Sequence, residues 1–127
     1  MKIYSVAAII TFCLIGTLHP QKAKAQDVDC KHDETQMALN ICSYREYQAA
    51  DAELNRVYRQ VLARNARLAT SIRAAQRAWI VFRDKECAVP ALQYQGGSIA
   101  PLEINTCNAD LTRERTQHLR ANYLQNN

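Results

Sequence analysis

From Gln36 to about Arg64 the chain runs without Pro or Gly, and Met37, Ile41, Tyr44, Tyr47, Leu54, Val57 and Val61 recur at spacings of three, four or seven. That periodicity predicts one long amphipathic helix with a single interruption of its apolar stripe near Ala50 and Asp51. Asp33, Glu34 and Thr35 stand where side chains cap a helix start. A break is expected at Asn65-Ala66-Arg67, with Thr70 or Ser71 capping the next helix. Leu68, Ile72, Ala75, Trp79 and Phe82 then step by four, three, four and three. The stretch AQRAWIVFRDKEC, residues 75–87, therefore reads as the second half of a core helix, with Ile80 and Val81 widening its apolar face toward a third element. Pro90 ends that helix just after Cys87.

The segment AVPALQYQGGSIAPLEINT, residues 88–106, holds Pro90, Pro101 and Gly96-Gly97 and reads as a long loop. A third, more polar helix is predicted from about Cys107 to Tyr123, with Leu111, Leu119 and Tyr123 as its apolar positions. The fold class is thus all-α: a small three-helix domain with a long loop between the second and third helices.

The first residues follow a different pattern. A basic start at Lys2 precedes the apolar run Val6 to Leu18 and the small-residue ending Ala23-Lys24-Ala25. That is the layout of a secretory signal peptide occupying residues 1–25, cut before Gln26, with residues 26–127 as one domain. The apolar run is shorter than the about 20 residues that a bilayer-spanning helix needs. Cys13 follows Phe12, where lipid attachment calls for a small residue. The expected location is periplasmic or secreted, with no membrane span after cleavage.

Cleavage leaves Cys30, Cys42, Cys87 and Cys107, an even number that predicts two disulfides in an oxidising compartment. If the second and third helices are antiparallel, Cys87 meets Cys107 and Cys30 pins the amino-terminal arm to Cys42. The rival pairing, Cys42 with Cys107 and Cys30 with Cys87, stays open at this level. The cysteine spacings match no common zinc pattern and there is no C-x-x-C, so neither a metal nor a cofactor is expected.

Removing Lys2, Lys22 and Lys24 turns sixteen basic residues into thirteen, against an unchanged twelve acidic ones. A nucleic-acid partner loses its support with them, since binding to a phosphate backbone takes a concentrated basic face. The remaining charge is uneven: residues 26–55 carry seven acids and two bases, residues 56–127 five acids and eleven bases. Either an acidic first helix packs on basic later ones through ion pairs, or an acidic face steers a basic partner. Reflection about the turn near residue 67 places Asp51 opposite Arg83, which predicts a structural ion pair with Asn55 beside it.

No catalytic constellation emerges. His32 and His118 lack a Ser or Cys partner at motif spacing, and Asp51 and Glu53 leave different faces of one helix, so the chain reads as a non-enzyme. Taken together, Cys30, MALNIC at 37–42, Tyr47, ADAELNRVY at 50–58, AQRAWIVFRDKEC, Gly96-Gly97-Ser98, Cys107 and the Thr- and Arg-rich last helix resemble the LprI-type lysozyme-inhibitor family. The resemblance implies an exported, α-helical, disulfide-bonded protein with lysozyme as its partner. It departs from the lipoprotein member that gave the family its name by lacking a lipid-attachment site.

An inhibitor of a glycosidase has to fill a cleft lined by two carboxylic acids. The loop from Val89 to Ile104 is the one projection available, which makes Tyr94, Gln95 and Ser98 the candidate partner-binding residues. The competing picture folds Leu92, Tyr94, Ile99 and Leu102 back as a lid over the core. The alternative function is a non-catalytic cell-envelope interaction module with another protein partner.

Overall fold

The computed structural model describes residues 27–125; the leader read at residues 1–25 lies outside them. Three long helices carry the fold: α1 (Gln36–Arg64), α2 (Ala69–Glu86) and α4 (Ala100–Tyr123), with a short α3 (Val89–Gln93) in the connection between α2 and α4. No strand occurs among the described residues. None of their helices is long and apolar enough to cross a membrane.

Local chemistry accounts for the helix ends. Thr35 caps α1 by accepting the amide of Ala38 at 3.3 Å, while Asp33 accepts the amide of Thr35 at 3.0 Å. Asn65 closes α1: its side chain donates to the Val61 carbonyl at 2.9 Å and to the Tyr123 carbonyl at 3.3 Å. A single 3-10 turn, Ala66–Leu68, follows, and α2 starts at Ala69 with no side-chain cap, ahead of the expected Thr70 and Ser71. The third long helix begins seven residues before Cys107, and a further five-residue helix lies in the expected loop. Both differences have one cause: Pro90 and Pro101 sit in first helical turns, where the amide they lack has no partner to lose.

Contacts between α1 and α4 run in parallel register, from Asn40 with Ser98, through Glu46 with Arg113 and Glu53 with Arg120, to Asn65 with Tyr123. α2 is antiparallel to both, as shown by Arg83 reaching Asp51 and Thr112 and by Gln76 meeting Arg115. The most extensive packing among the helices is that of α1 and α4. Its inner face is made largely of small side chains: Ala38, Ser43 and Ala50 from α1, with Ala109, Thr112 and Thr116 from α4, all buried.

Toward the α1–α2 turn the interior becomes aliphatic. Leu54, Val57, Val61, Ile72 and Leu119 form the core cluster, edged by Tyr58, Leu62, Trp79, Tyr123 and Leu124. The large residues expected along the first half of α1 are not in this core, since Met37 is 55% and Tyr44 50% exposed. On α2 the buried positions are Ile72, Gln76 and Arg83, a face turned from the expected one, so that Leu68 and Phe82 lie open to solvent.

Candidate functional site

Cys87 is the carboxyl-terminal cap of α2, fully buried and bonded to Cys107, which lies about two turns into α4. The bridge closes residues 88–106 into a loop whose two halves behave differently. On the outward half, Leu92 is 67% and Tyr94 41% exposed, and Gln95 is exposed. On the inward half, Ile99 and Leu102 are half-buried. The expected lid is therefore made only by the second pair, while Leu92 and Tyr94 face solvent.

The turn between the halves has a defined shape. The amide of Gly97 donates to the Tyr94 carbonyl at 2.6 Å, and that of Ala100 to the Gly97 carbonyl at 3.1 Å. Gly96 sits at φ +75°, the left-handed region that glycine enters without cost. A Cβ at Gly97 would lie 2.9 Å from the Tyr94 carbonyl oxygen, closer than side chains tolerate. Asn40 of α1 holds the far side of the turn by donating its amide to the Ser98 carbonyl at 2.9 Å. Asn105 ties the start of α4 to α1 through Ser43 Oγ at 3.2 Å and the Asn40 carbonyl at 3.4 Å. Tyr94, Gln95 and Ser98 thus stand exposed on a segment anchored on both flanks.

The second bridge joins Cys30 to Cys42 and draws the amino-terminal arm across the start of α1. Arg45 donates to the Val28 carbonyl at 3.1 Å, and Val28 is buried. Within the arm, His32 Nδ1 lies 2.7 Å from Asp29 Oδ2, an exposed local contact.

Arg83 is the buried hub of the middle layer, with its side chain 7% exposed. Its nearest acceptor is the neighbouring Asp84 at 2.8 Å; Asp51 Oδ1 and Thr112 Oγ1 each lie 3.4 Å from Nη1. The guanidinium carbon stands 5.3 Å from the ring centres of both Tyr47 and Trp79. Asp51, at 41% side-chain exposure, also accepts from Asn55 at 2.9 Å. In the pair of Arg83 with Asp51 the arginine is the buried member, and Asp51 reaches it from the rim.

Ion pairs consume the acidic character of α1. Glu46 pairs with Arg113 at 3.2 Å, and Glu53 with Arg56 at 2.7 Å and with Arg120. The hydrogen-bonding guanidinium of Arg56, with the charges of Arg56 and Arg120 behind it, holds the Glu53 carboxyl at about 2, well below its usual 4.5. Pairs between α1 and α4 thus neutralise Glu46 and Glu53, two of the seven acids of residues 26–55.

One feature had no sequence signal. Between α2 and α4, Trp79, Phe82, Leu111, Glu114, Arg115 and His118 line a groove of about 340 Å³. Arg115 lies 5.8 Å from the Trp79 ring centre and donates to Gln76 Oε1 at 3.0 Å. Only the antiparallel pairing of two helices distant in sequence brings His118 alongside Trp79. Among the described residues no group of three or more His, Cys, Asp or Glu side chains is placed to hold a metal ion.

These features define a class: a small helical domain stapled by two disulfides, Cys30 to Cys42 and Cys87 to Cys107, with an exposed turn carried on the second staple. Residues 28–119 match the family model described as lysozyme inhibitor LprI, and the chain belongs to that family. An uncharacterised protein, R02472, of Rhizobium meliloti (strain 1021) is 40% identical over 80% of this chain and 83% of its own length. The crystal structure of a DUF1311 family protein from Pseudomonas putida KT2440 superposes with a TM-score of 0.64 at 25% identity, covering 77% of this chain and all of that one.

Proposed function

We propose that the protein is an exported inhibitor of a muramidase-type lysozyme, and that the turn from Tyr94 to Ser98 enters the enzyme's cleft. The observation that carries this reading is the exposure of Tyr94, Gln95 and Ser98 on a segment fixed by the Cys87–Cys107 bridge on one side and by Asn40 on the other. A phenol, a primary amide and a hydroxyl are hydrogen-bond donors suited to the two carboxyl groups of a glycosidase cleft. Holding them in place before contact lowers the ordering cost of binding. Two disulfides suit an oxidising compartment, in keeping with a periplasmic or secreted location.

The charge pairing refines the expectation for association. Because Glu46 and Glu53 are engaged with arginines of the same chain, little acidic surface on α1 is left to attract a basic enzyme. The association rate should change only weakly with salt. The deciding experiment is a muramidase assay on bacterial cell walls with oxidised protein, beside a variant carrying Tyr94→Ala, Gln95→Ala and Ser98→Ala. Stoichiometric inhibition lost in the variant supports the reading; absence of inhibition at high protein excess rejects it.

A second reading, a non-catalytic envelope module bound to another protein, has its own support. Val81, Phe82, Val89 and Leu92 are each 50% or more exposed around the end of α2 and in α3. A muramidase-free partner recovered from periplasm, through a contact abolished by Phe82→Ser with Leu92→Ser, would favour it.

A further inference from the structure

The end of the molecule opposite the stapled turn carries a different chemistry. From Leu54 to Arg83 the chain contains seven arginines, no lysine and no acidic residue. Arg56 is spent on Glu53 and Arg83 on Asp84 and Asp51. The other five, Arg59, Arg64, Arg67, Arg73 and Arg77, are exposed, and among the described residues none of them forms an ion pair. Among the described residues, Arg64 alone of the five makes a hydrogen bond, to the Leu124 carbonyl at 3.4 Å. At a rise of about 1.5 Å per residue, all five lie within about 15 Å of the α1–α2 turn along the helix axes. That spread is comparable with the screening length of about 8 to 10 Å in physiological salt, so neighbouring charges act together.

The apex adds an apolar point. Leu68, in the 3-10 turn beside Arg67, is 53% exposed. With Arg64, Asn65, Ala66 and Arg67 it lines a depression of about 440 Å³ at the tip of the hairpin. Among the described residues no acceptor side chain from another element answers these guanidinium groups, so the pole is a concentration of unneutralised charge around a leucine.

We infer that this pole docks on an anionic phospholipid surface, the arginines pairing with headgroup phosphates and Leu68 entering the interface. Guanidinium groups present paired donors that match phosphate oxygens. A polyanion in solution, nucleic acid included, would satisfy the arginines and leave Leu68 in water. A lipid surface uses both, combining charge attraction with burial of an apolar side chain. The docking end lies away from Tyr94, Gln95 and Ser98, so the inference stands independently of the muramidase reading.

The test is co-sedimentation of oxidised protein, prepared from Gln26 onward so that the apolar segment Val6 to Leu18 contributes nothing, with vesicles of phosphatidylcholine alone or with 30% phosphatidylglycerol, roughly the anionic content at which such attraction is strong. Binding to the anionic vesicles and not to the neutral ones is expected. Arg67→Gln with Arg73→Gln should weaken it about 25-fold, at about fivefold per arginine. Leu68→Ser should weaken it about tenfold. Lys31→Gln on the distant arm should change it less than about twofold, and circular dichroism of each variant verifies that the helices remain. Absence of binding to anionic vesicles at low salt overturns the proposal. So does Leu68→Ser binding as well as the parent while inorganic polyphosphate competes fully, which would assign the pole to soluble polyanions.

Discussion

The two halves of this small bundle are held by different means. Toward the α1–α2 turn, Leu54, Val57, Val61, Ile72 and Leu119 exclude water in the ordinary way. Toward the stapled turn, the interior consists of Ala38, Ser43, Asn108, Ala109 and Thr112, and both disulfides lie in that half. Small side chains let α1 and α4 approach closely but bury little apolar area, so hydrophobic stabilisation there is modest. Covalent bonds and the hydrogen bonds of Asn40 and Asn105 supply what the aliphatic cluster supplies elsewhere. A surface meant to be presented rigidly can thus be built where the core is too thin to hold it.

The largest effect should come from breaking the staples. The bridges close loops with sequence separations of 12 and 20, each worth about 3 kcal/mol in the chain-entropy view, so reduction should remove about 6 kcal/mol. Equilibrium denaturation with and without reductant measures this. Hydrogen exchange should rise first at residues 28–45 and 88–106, and a uniform rise across the chain would contradict the division into halves. Next, Leu119→Ala should cost about 3 kcal/mol, because the fully buried side chain leaves a cavity among α1, α2 and α4. Its effect should be the same in oxidised protein and in a variant lacking the Cys30–Cys42 bridge; strong coupling would mean the halves are one unit.

The middle layer tests the boundary between them. Arg83→Ala should cost about 2 kcal/mol through lost packing against Tyr47 and Trp79. Asp51→Ala should cost much less, since Asp51 is part-exposed and Arg83 keeps Asp84. A double-mutant cycle should return a coupling of about 1 kcal/mol or less; strictly additive losses would show that the contact contributes nothing. The smallest effect is expected from Glu53. Its carboxyl titrates lower in the folded chain than in the unfolded one, so its contribution is present above pH 4.5 and is lost as pH falls toward about 2. Thermal melts between pH 5 and pH 2 should show a slightly steeper loss for the parent than for Glu53→Gln, and parallel curves would remove Glu53 from the acid response.

Helix positions were legible where caps and periodicity agreed. The stripe from Leu54 to Val61 and the ends of α1 follow from local rules, and the neighbourhood of Cys87 with Cys107 follows from antiparallel helices. Two things were hidden. Pro90 read as a terminator and Pro101 as part of a loop because sequence does not distinguish a helix stop from a first turn. The α1–α4 seam was hidden because its buried residues are Ala, Ser, Thr and Asn, which periodicity methods count as polar or neutral. Residues such as Met37, Tyr44 and Phe82 were placed inside for the opposite reason: apolar character allows burial and does not require it. Of the candidate site, the glycines and cysteines announced a constrained turn, while the anchor on it, Asn40, carried no signal at all.

The parallel pairing of α1 with α4 also sets an order of events for the newborn chain. α4 begins 36 residues after α1 ends, and the bonds between them join residues 58 to 67 apart. Contacts this distant in sequence raise the relative contact order, which slows folding. Emerging amino terminus first, α1 can meet Ile72 and Arg83 of α2 early, but finds its main packing partner only when nearly the whole chain has followed it. Until then the small-residue face of α1 stays unburied.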